Sequence, residues 1–126
     1  MRILILDDST DLLYGLQRIL TMYDHTVRSV KDTESFLLEL DSFQPEVALI
    51  DVLLGQVDGR EVCKRIRENN DYKNITLILF SGNPKVLANY QEFGADGAIE
   101  KPFDMSGLIH QIKSAVYIRK QLLQNS

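Results

Sequence analysis

A chain of 126 residues is the size of one ordinary domain, and with 44% hydrophobic and 25% charged residues it has the composition of a globular protein, not of a disordered or fibrous one. A net charge of -4, with basic residues spread thinly, leaves no electrostatic footprint for a phosphate backbone and argues against direct nucleic-acid binding. The single cysteine, Cys63, cannot close an internal disulfide, and the apolar run 3–6 is too short for a signal peptide or membrane span before Asp7 and Asp8 intervene, so the expectation is a soluble cytoplasmic protein with no membrane contact.

Residues 2–6 are apolar and β-compatible, and Asp7-Asp8-Ser9 stops the run. Ser9 is placed to cap a helix on which Leu12, Leu13, Leu16, Ile19 and Leu20 recur at helical spacing. A short strand over 26–30 follows, then a helix capped by Asp32 or Thr33 that turns Phe36, Leu37 and Leu40 inward, with Pro45 in the connection behind it. The stretch 47–54 is an apolar run interrupted by one carboxylate, and reads as a strand covered on both faces with Asp51 at its carboxyl end. Residues 55–59 read as a loop. Asp58, with Glu61 three positions later, forms a capping-box-like pair for a helix that buries Val62, Cys63 and Ile66.

The nearly all-apolar run 75–80 predicts a fourth strand, closed by Ser81-Gly82. Asn83 and Pro84 open a helix that Gly94 is placed to terminate. Residues 95–100 supply a fifth strand ending in Lys101-Pro102. Asp104 caps a last helix with an apolar stripe of Met105, Leu108, Ile109, Ile112, Ala115 and Val116, before a polar tail over 121–126. Five strand–helix units with short connections imply an α/β fold, a doubly wound parallel sheet with helices on both faces.

Asp7-Asp8, Asp51, Ser81 and Lys101 each follow a predicted strand, so a parallel sheet would gather them on the edge where open α/β sheets bind ligands. Carboxylates crowded there repel, by roughly 4 kcal/mol for unit charges 4 Å apart at an effective dielectric of 20. Such a cluster calls for a divalent cation or a raised pKa, and all-oxygen ligation favours Mg²⁺. A carboxylate beside Mg²⁺, faced by a hydroxyl and an ammonium, is what phosphoryl transfer to an aspartate uses. Ser81 would donate a hydrogen bond to a phosphoryl oxygen and Lys101 would neutralise its charge.

In this ordered set, from the apolar run into Asp7-Asp8, through Asp51 to Asp58-Gly59, and on through Ser81-Gly82 to Lys101-Pro102-Phe103, the chain resembles the receiver domains of bacterial two-component response regulators. The resemblance implies a flavodoxin-like strand order 2-1-3-4-5, a receiver over 1–120, Asp51 as phosphoacceptor, and Asp7, Asp8, Asp51 and the backbone carbonyl of Leu53 around Mg²⁺. It makes Ser81 the switch hydroxyl and Lys101 the phosphoryl-binding lysine. The implied partners are a sensor histidine kinase or histidine phosphotransfer protein, meeting the first helix and the loop after Lys101, and a downstream target or effector domain. The implied role is a signalling module and not an enzyme.

Departures from the family pattern shape the expectation. Gly55 stands where proline is usual, which implies a more flexible loop, and Ala98 stands where an aromatic usually couples to the switch hydroxyl. Leu53, apolar and two positions beyond Asp51, is placed to hinder a hydrolytic water, implying a long-lived phospho-form. Competing readings are a receiver-shaped interaction module that takes no phosphate, and an aspartyl-phosphate phosphatase, which would want an acid where Leu53 stands. A nucleotide-binding doubly wound module would want a glycine-rich turn instead of Asp7-Asp8-Ser9. Cys63 reads as a small core residue, His25 and His110 as neither ligands nor bases, and Lys113, Arg119 and Lys120 as a solvated helix face. Gly15 is explained by core packing as well as by partner docking.

Overall fold

The computed structural model describes residues 1–125. Five parallel strands form the sheet in the order β2-β1-β3-β6-β7, where β1 is Arg2–Leu6, β2 Thr26–Val30, β3 Val47–Asp51, β6 Thr76–Ser81 and β7 Gly97–Glu100. Counting only these strands, that is the expected order 2-1-3-4-5.

Strand alternation decides what each face carries. Leu4, Leu6, Ala48, Ile50, Leu77 and Leu79 point into one core, shared with Phe36 and Leu40 of α2 (Thr33–Ser42) and Val62, Cys63 and Ile66 of α3 (Gly59–Glu68). Ile3, Ile5, Val47, Leu49, Ile78, Phe80 and Ile99 point the other way, onto Leu13, Leu16 and Leu20 of α1 (Thr10–Met22) and Leu108, Ile109, Ile112 and Ala115 of α5 (Met105–Gln124). With both faces covered, every residue of β3 and β6 is buried, which is why these strands are apolar on both faces between their polar ends and not alternating.

Side chains of Ser9, Asp32, Asp58, Asn83 and Asp104 accept backbone N–H groups at the starts of α1, α2, α3, α4 (Pro84–Leu87) and α5. Asp32 and not Thr33 takes the second cap. At Asp58 the carboxylate accepts from the Arg60 backbone and pairs with its guanidinium at 2.7 Å, which holds its pKa below the usual carboxylate range. The side-chain bonds at this cap run from Arg60 to Asp58, and the expected pairing of Asp58 with Glu61 is not among them.

Several segments differ from the sequence reading. The 55–59 loop contains a two-stranded antiparallel ribbon, β4 (Leu53–Leu54) against β5 (Val57–Asp58), and Gly55 at φ 60 supplies the left-handed residue of its two-residue turn. Proline, with φ held near -65°, does not fit there, so Gly55 serves a tight turn and not slack. The helix expected from Pro84 to Gly94 is one turn, α4 (Pro84–Leu87), followed by a 3-10 turn over Tyr90–Phe93 that Gly94 ends at φ 82. Asn89 sits at the break, its backbone at φ -112 and ψ 33 outside helical geometry, and its side-chain amide donates to the Glu92 carboxylate.

At the other end, α5 continues through most of the segment read as a polar tail, whose last residue, Ser126, lies outside the described residues. Met105 is 37% exposed and so stands off the stripe it was assigned to. A Cβ on Gly15 would meet nothing within 4 Å, so packing does not demand glycine there. Cys63 is fully buried, and burial pushes its thiol up to about 12. No helix among the described residues is long and apolar enough to cross a membrane.

Candidate functional site

Continuing the strand alternation two residues past Ile5, Leu49 and Ile99 brings Asp7, Asp51 and Lys101 to the same side of the sheet at its carboxyl edge. There the Lys101 ammonium lies 3.0 Å from Asp7 Oδ2 and 3.3 Å from Asp51 Oδ1. Asp7, Asp8 and Asp51 offer carboxylate oxygens that all lie within 4.8 Å of one another. Asp7 and Asp51 are buried, and Asp8 is exposed at the mouth.

The Asp7 carboxylate is spoken for on both oxygens, since Oδ1 accepts from the Ser9 backbone at 2.7 Å. At Asp51 the contacts fall on Oδ1, which faces Lys101 and, at 3.4 Å, the backbone N–H of Leu53. Among the described residues Oδ2 of Asp51 has no hydrogen-bond partner, so one oxygen remains available. Burial first, and then the Asp7 carboxylate, push Asp51 up to about 6 against the downward pull of Lys101. One ammonium among three acids leaves the cluster under-neutralised. A hard cation fits that donor set of oxygens, with Asp7, Asp8 and Asp51 as the side chains able to hold it.

Ser81 is placed differently. It belongs with Leu77 and Leu79 in the alternation, facing α3 and α4, and its hydroxyl oxygen accepts from the Asn83 backbone at 3.1 Å. Its carbonyl accepts the Lys101 backbone N–H at 2.9 Å, which ties the end of β6 to the lysine. Leu53 is 61% exposed at the site's rim.

Residues that the sequence reading passed over shape the site from beneath. The Gly59 backbone N–H donates to the Val52 carbonyl at 2.7 Å, and a Cβ on Gly59 would land on the Asp51 carbonyl oxygen. Only glycine lets α3 start this close to the strand end that carries Asp51. Gly59→Ala is therefore expected to cost about 1–3 kcal/mol in urea unfolding, as overpacking does. Phe80 presents its ring to the Lys101 ammonium at 4.6 Å from the centroid. Away from the site, at the opposite end of the sheet, Arg119, read as a solvated charge, is turned inward at 14% side-chain exposure, beside the buried Asp96.

Fold and site together define a doubly wound α/β domain with a carboxylate–lysine cluster at the carboxyl edge of its sheet. A family model described as the response regulator receiver domain matches residues 3–113, and the chain belongs to that family. Among curated proteins it is 31% identical over 121 residues to the response regulator protein GraR of Staphylococcus aureus, covering 94% of this chain and 52% of GraR. The chain thus spans about half the length of the curated relatives it matches. A putative response regulator from Chloroflexus aurantiacus superposes with a TM-score of 0.85 at 26% identity, covering 92% of this chain and 97% of that one. A signal receiver domain from Bermanella marisrubri gives 0.84 at 28%, covering 91% and 97%. NtrX from Brucella abortus gives 0.86 at 25%, covering 98% of this chain but 28% of NtrX.

Proposed function

We propose that this receiver domain accepts a phosphoryl group on Asp51 from a phosphohistidine of a sensor kinase or phosphotransfer protein, with Mg²⁺ held by Asp7, Asp8, Asp51 and the Leu53 carbonyl. The observation that carries this reading is the shared ammonium of Lys101 between Asp7 and Asp51, next to an Asp51 oxygen without a partner. Bound Mg²⁺ would supply charge neutralisation at the phosphoryl oxygens.

The Asp51 carboxylate attacks phosphorus. An O–P bond forms as the donor's N–P bond breaks, and the electron pair leaves on the imidazole nitrogen, which takes a proton from water. Lys101 is close enough to follow the phosphoryl oxygens as they arrive. The Ser81 hydroxyl accepts from Asn83 but leaves its own hydrogen free to donate, so turning it toward the phosphoryl group would pull on the loop leading into α4. That strained connection, and the Lys101 backbone bonded to Ser81, offer the new state to a downstream target or effector domain. Donor docking falls to α1, which starts beside Asp7 and Asp8 and carries the exposed Tyr14.

The test is incubation with Mg²⁺ and acetyl phosphate followed by intact mass. The wild type gains one phosphoryl group, and neither Asp51→Asn nor a chelated sample gains any. An unchanged wild type would instead favour an interaction module that takes no phosphate. Once phosphorylated, the exposed Leu53 shields the acyl phosphate from water, so Leu53→Asn is expected to shorten the phospho-form's half-life severalfold. An equal or longer half-life in the variant counts against that shielding.

A further inference from the structure

We propose that Phe80 is a positioning residue for phosphoryl transfer, its ring being the fixed seat on which the Lys101 ammonium rests beside Asp51. The proposal rests on the reading of Asp51 as phosphoacceptor and adds a group that touches neither phosphorus nor metal.

A lysine ends in a compact charge on a flexible four-carbon stem, and the Lys101 side chain is 24% exposed, so water competes for its ammonium. Three partners restrain it: Asp7 Oδ2 at 3.0 Å, Asp51 Oδ1 at 3.3 Å and the Phe80 ring centroid at 4.6 Å. The two carboxylates are the groups that change during the reaction. Asp51 becomes an acyl phosphate, and Asp7 is shared with the cation. The ring alone stays the same before, during and after transfer. Its negative face attracts the ammonium, yet it neither accepts a proton nor binds Mg²⁺, so it holds the charge without competing for it.

The seat itself is rigid. Phe80 is 2% exposed and packs among the buried residues between the sheet and α1 and α5. It lies in register with Asp51 across the β3–β6 pairing, and its carbonyl accepts the Val52 N–H at 3.0 Å. The ring therefore keeps its place relative to the strand that carries the acceptor. The Lys101 backbone is bonded at 2.9 Å to the very next residue, Ser81, so both ends of the lysine are referred to one strand end.

The experiment follows the rate of acetyl phosphate uptake by the full chain at saturating Mg²⁺, by intact mass. In this reaction an Asp51 O–P bond forms and the bond from phosphorus to the acetate oxygen breaks, acetate leaving with the electron pair. Site-specific replacement of Phe80 by trifluorophenylalanine nearly preserves size while removing the negative ring face. It is expected to slow the maximal rate severalfold with unchanged Mg²⁺ affinity, while the lost contact lowers the melting temperature by only about a few degrees. Phe80→Leu should lose about tenfold, within the 3- to 30-fold range expected of a partly desolvated ammonium–ring contact. In a Lys101→Gln background neither change at position 80 should slow uptake further.

A trifluorinated protein that runs at the wild-type rate overturns the proposal, as does a loss of the same factor in the Lys101→Gln background. The fluorinated chain decides the matter even if Phe80→Leu does not fold. A wild type that takes up no phosphate at all brings down the phosphoacceptor reading, and this proposal with it, and so is distinguishable from failure at Phe80 alone.

Discussion

Asp51→Asn is expected to abolish phosphoryl uptake while making the metal-free protein more stable, by about 2–3 kcal/mol at pH 7. The gain comes from the geometry that makes the site work. Asp51 is 5% exposed and shares a cluster with Asp7 and Asp8, and its pKa stands at about 6 against an ordinary 3.8. A folded-state carboxyl with a raised pKa binds its proton more tightly than the unfolded chain does. Stability therefore rises as pH falls from about 6 toward 4, and the penalty is fully present above 6. At about 1.4 kcal/mol per pKa unit, an amide that cannot ionise removes a penalty of that order at pH 7, less what Lys101 loses as a partner.

The expected readout is a melting temperature in chelator higher by roughly 6–12 °C at pH 7, shrinking toward zero near pH 4. If the proposed Mg²⁺ site is used, added Mg²⁺ should stabilise the wild type by binding the folded cluster and leave the variant almost unmoved. A variant less stable than the wild type at pH 7 would contradict the claim that the carboxylates are under-neutralised.

The second large effect lies at the opposite end of the sheet. Arg67→Ala is expected to cost about 3–5 kcal/mol in urea unfolding, because it strands a buried charge. The Arg67 guanidinium donates to the carbonyls of Gly94 at 2.8 Å, Lys73 at 3.2 Å and Ile75 at 2.9 Å, and to Asp96 Oδ2 at 2.9 Å. Asp96, with its side chain 2% exposed, also accepts the Leu77 N–H at 3.0 Å. Arg119 Nε stands 3.4 Å from Asp96 Oδ1 without hydrogen-bond geometry, so it contributes charge but not a bond.

This hub ties α3, β6, β7 and α5 together through one carboxylate. Burial, its largest influence, pushes Asp96 upward, and the two guanidinium groups and the Leu77 N–H oppose that. Arg67→Lys should recover little, since one ammonium cannot fork to four acceptors. Gly94 shares the arrangement: besides its φ of 82, a Cβ there would meet Arg67 Cγ at 2.5 Å. An Arg67→Ala protein within 1 kcal/mol of the wild type would show that the hub is dispensable, against the expectation for a buried pair.

What could be read in the residues was what local chemistry controls. Apolar runs closed by polar residues marked the five strands, and cap residues marked the helix starts, because both depend on neighbours in the chain. Asp7, Asp8, Asp51 and Lys101 could be gathered from sequence because parallel strands align their ends, and the structure brings these four together. Leucine at 53 and serine at 81 could be located near the edge, but the direction of the Ser81 hydroxyl, bonded to Asn83, needed the strand parity.

The rest depended on contacts between distant segments. Arg67 reads as one more surface charge on a helix until Lys73, Ile75, Gly94 and Asp96 are folded around it. Phe80 reads as core, and is core. Its second face toward Lys101 exists only once β7 lies beside β6. The early end of α4 was not read, because the capping residues at Asn83-Pro84 and Gly94 bracket the whole segment and do not mark the break at Asn89.

The central claim is that phosphorus is received by one oxygen of Asp51. Reducing the acetyl-phosphate-treated protein with borohydride, which converts an acyl phosphate to an alcohol, and mapping the peptides locates the acceptor directly. Homoserine at position 51 and nowhere else is the predicted result. Reduction at Asp7 or Asp8, or an unmodified Asp51 in a protein that has gained phosphate, would contradict it.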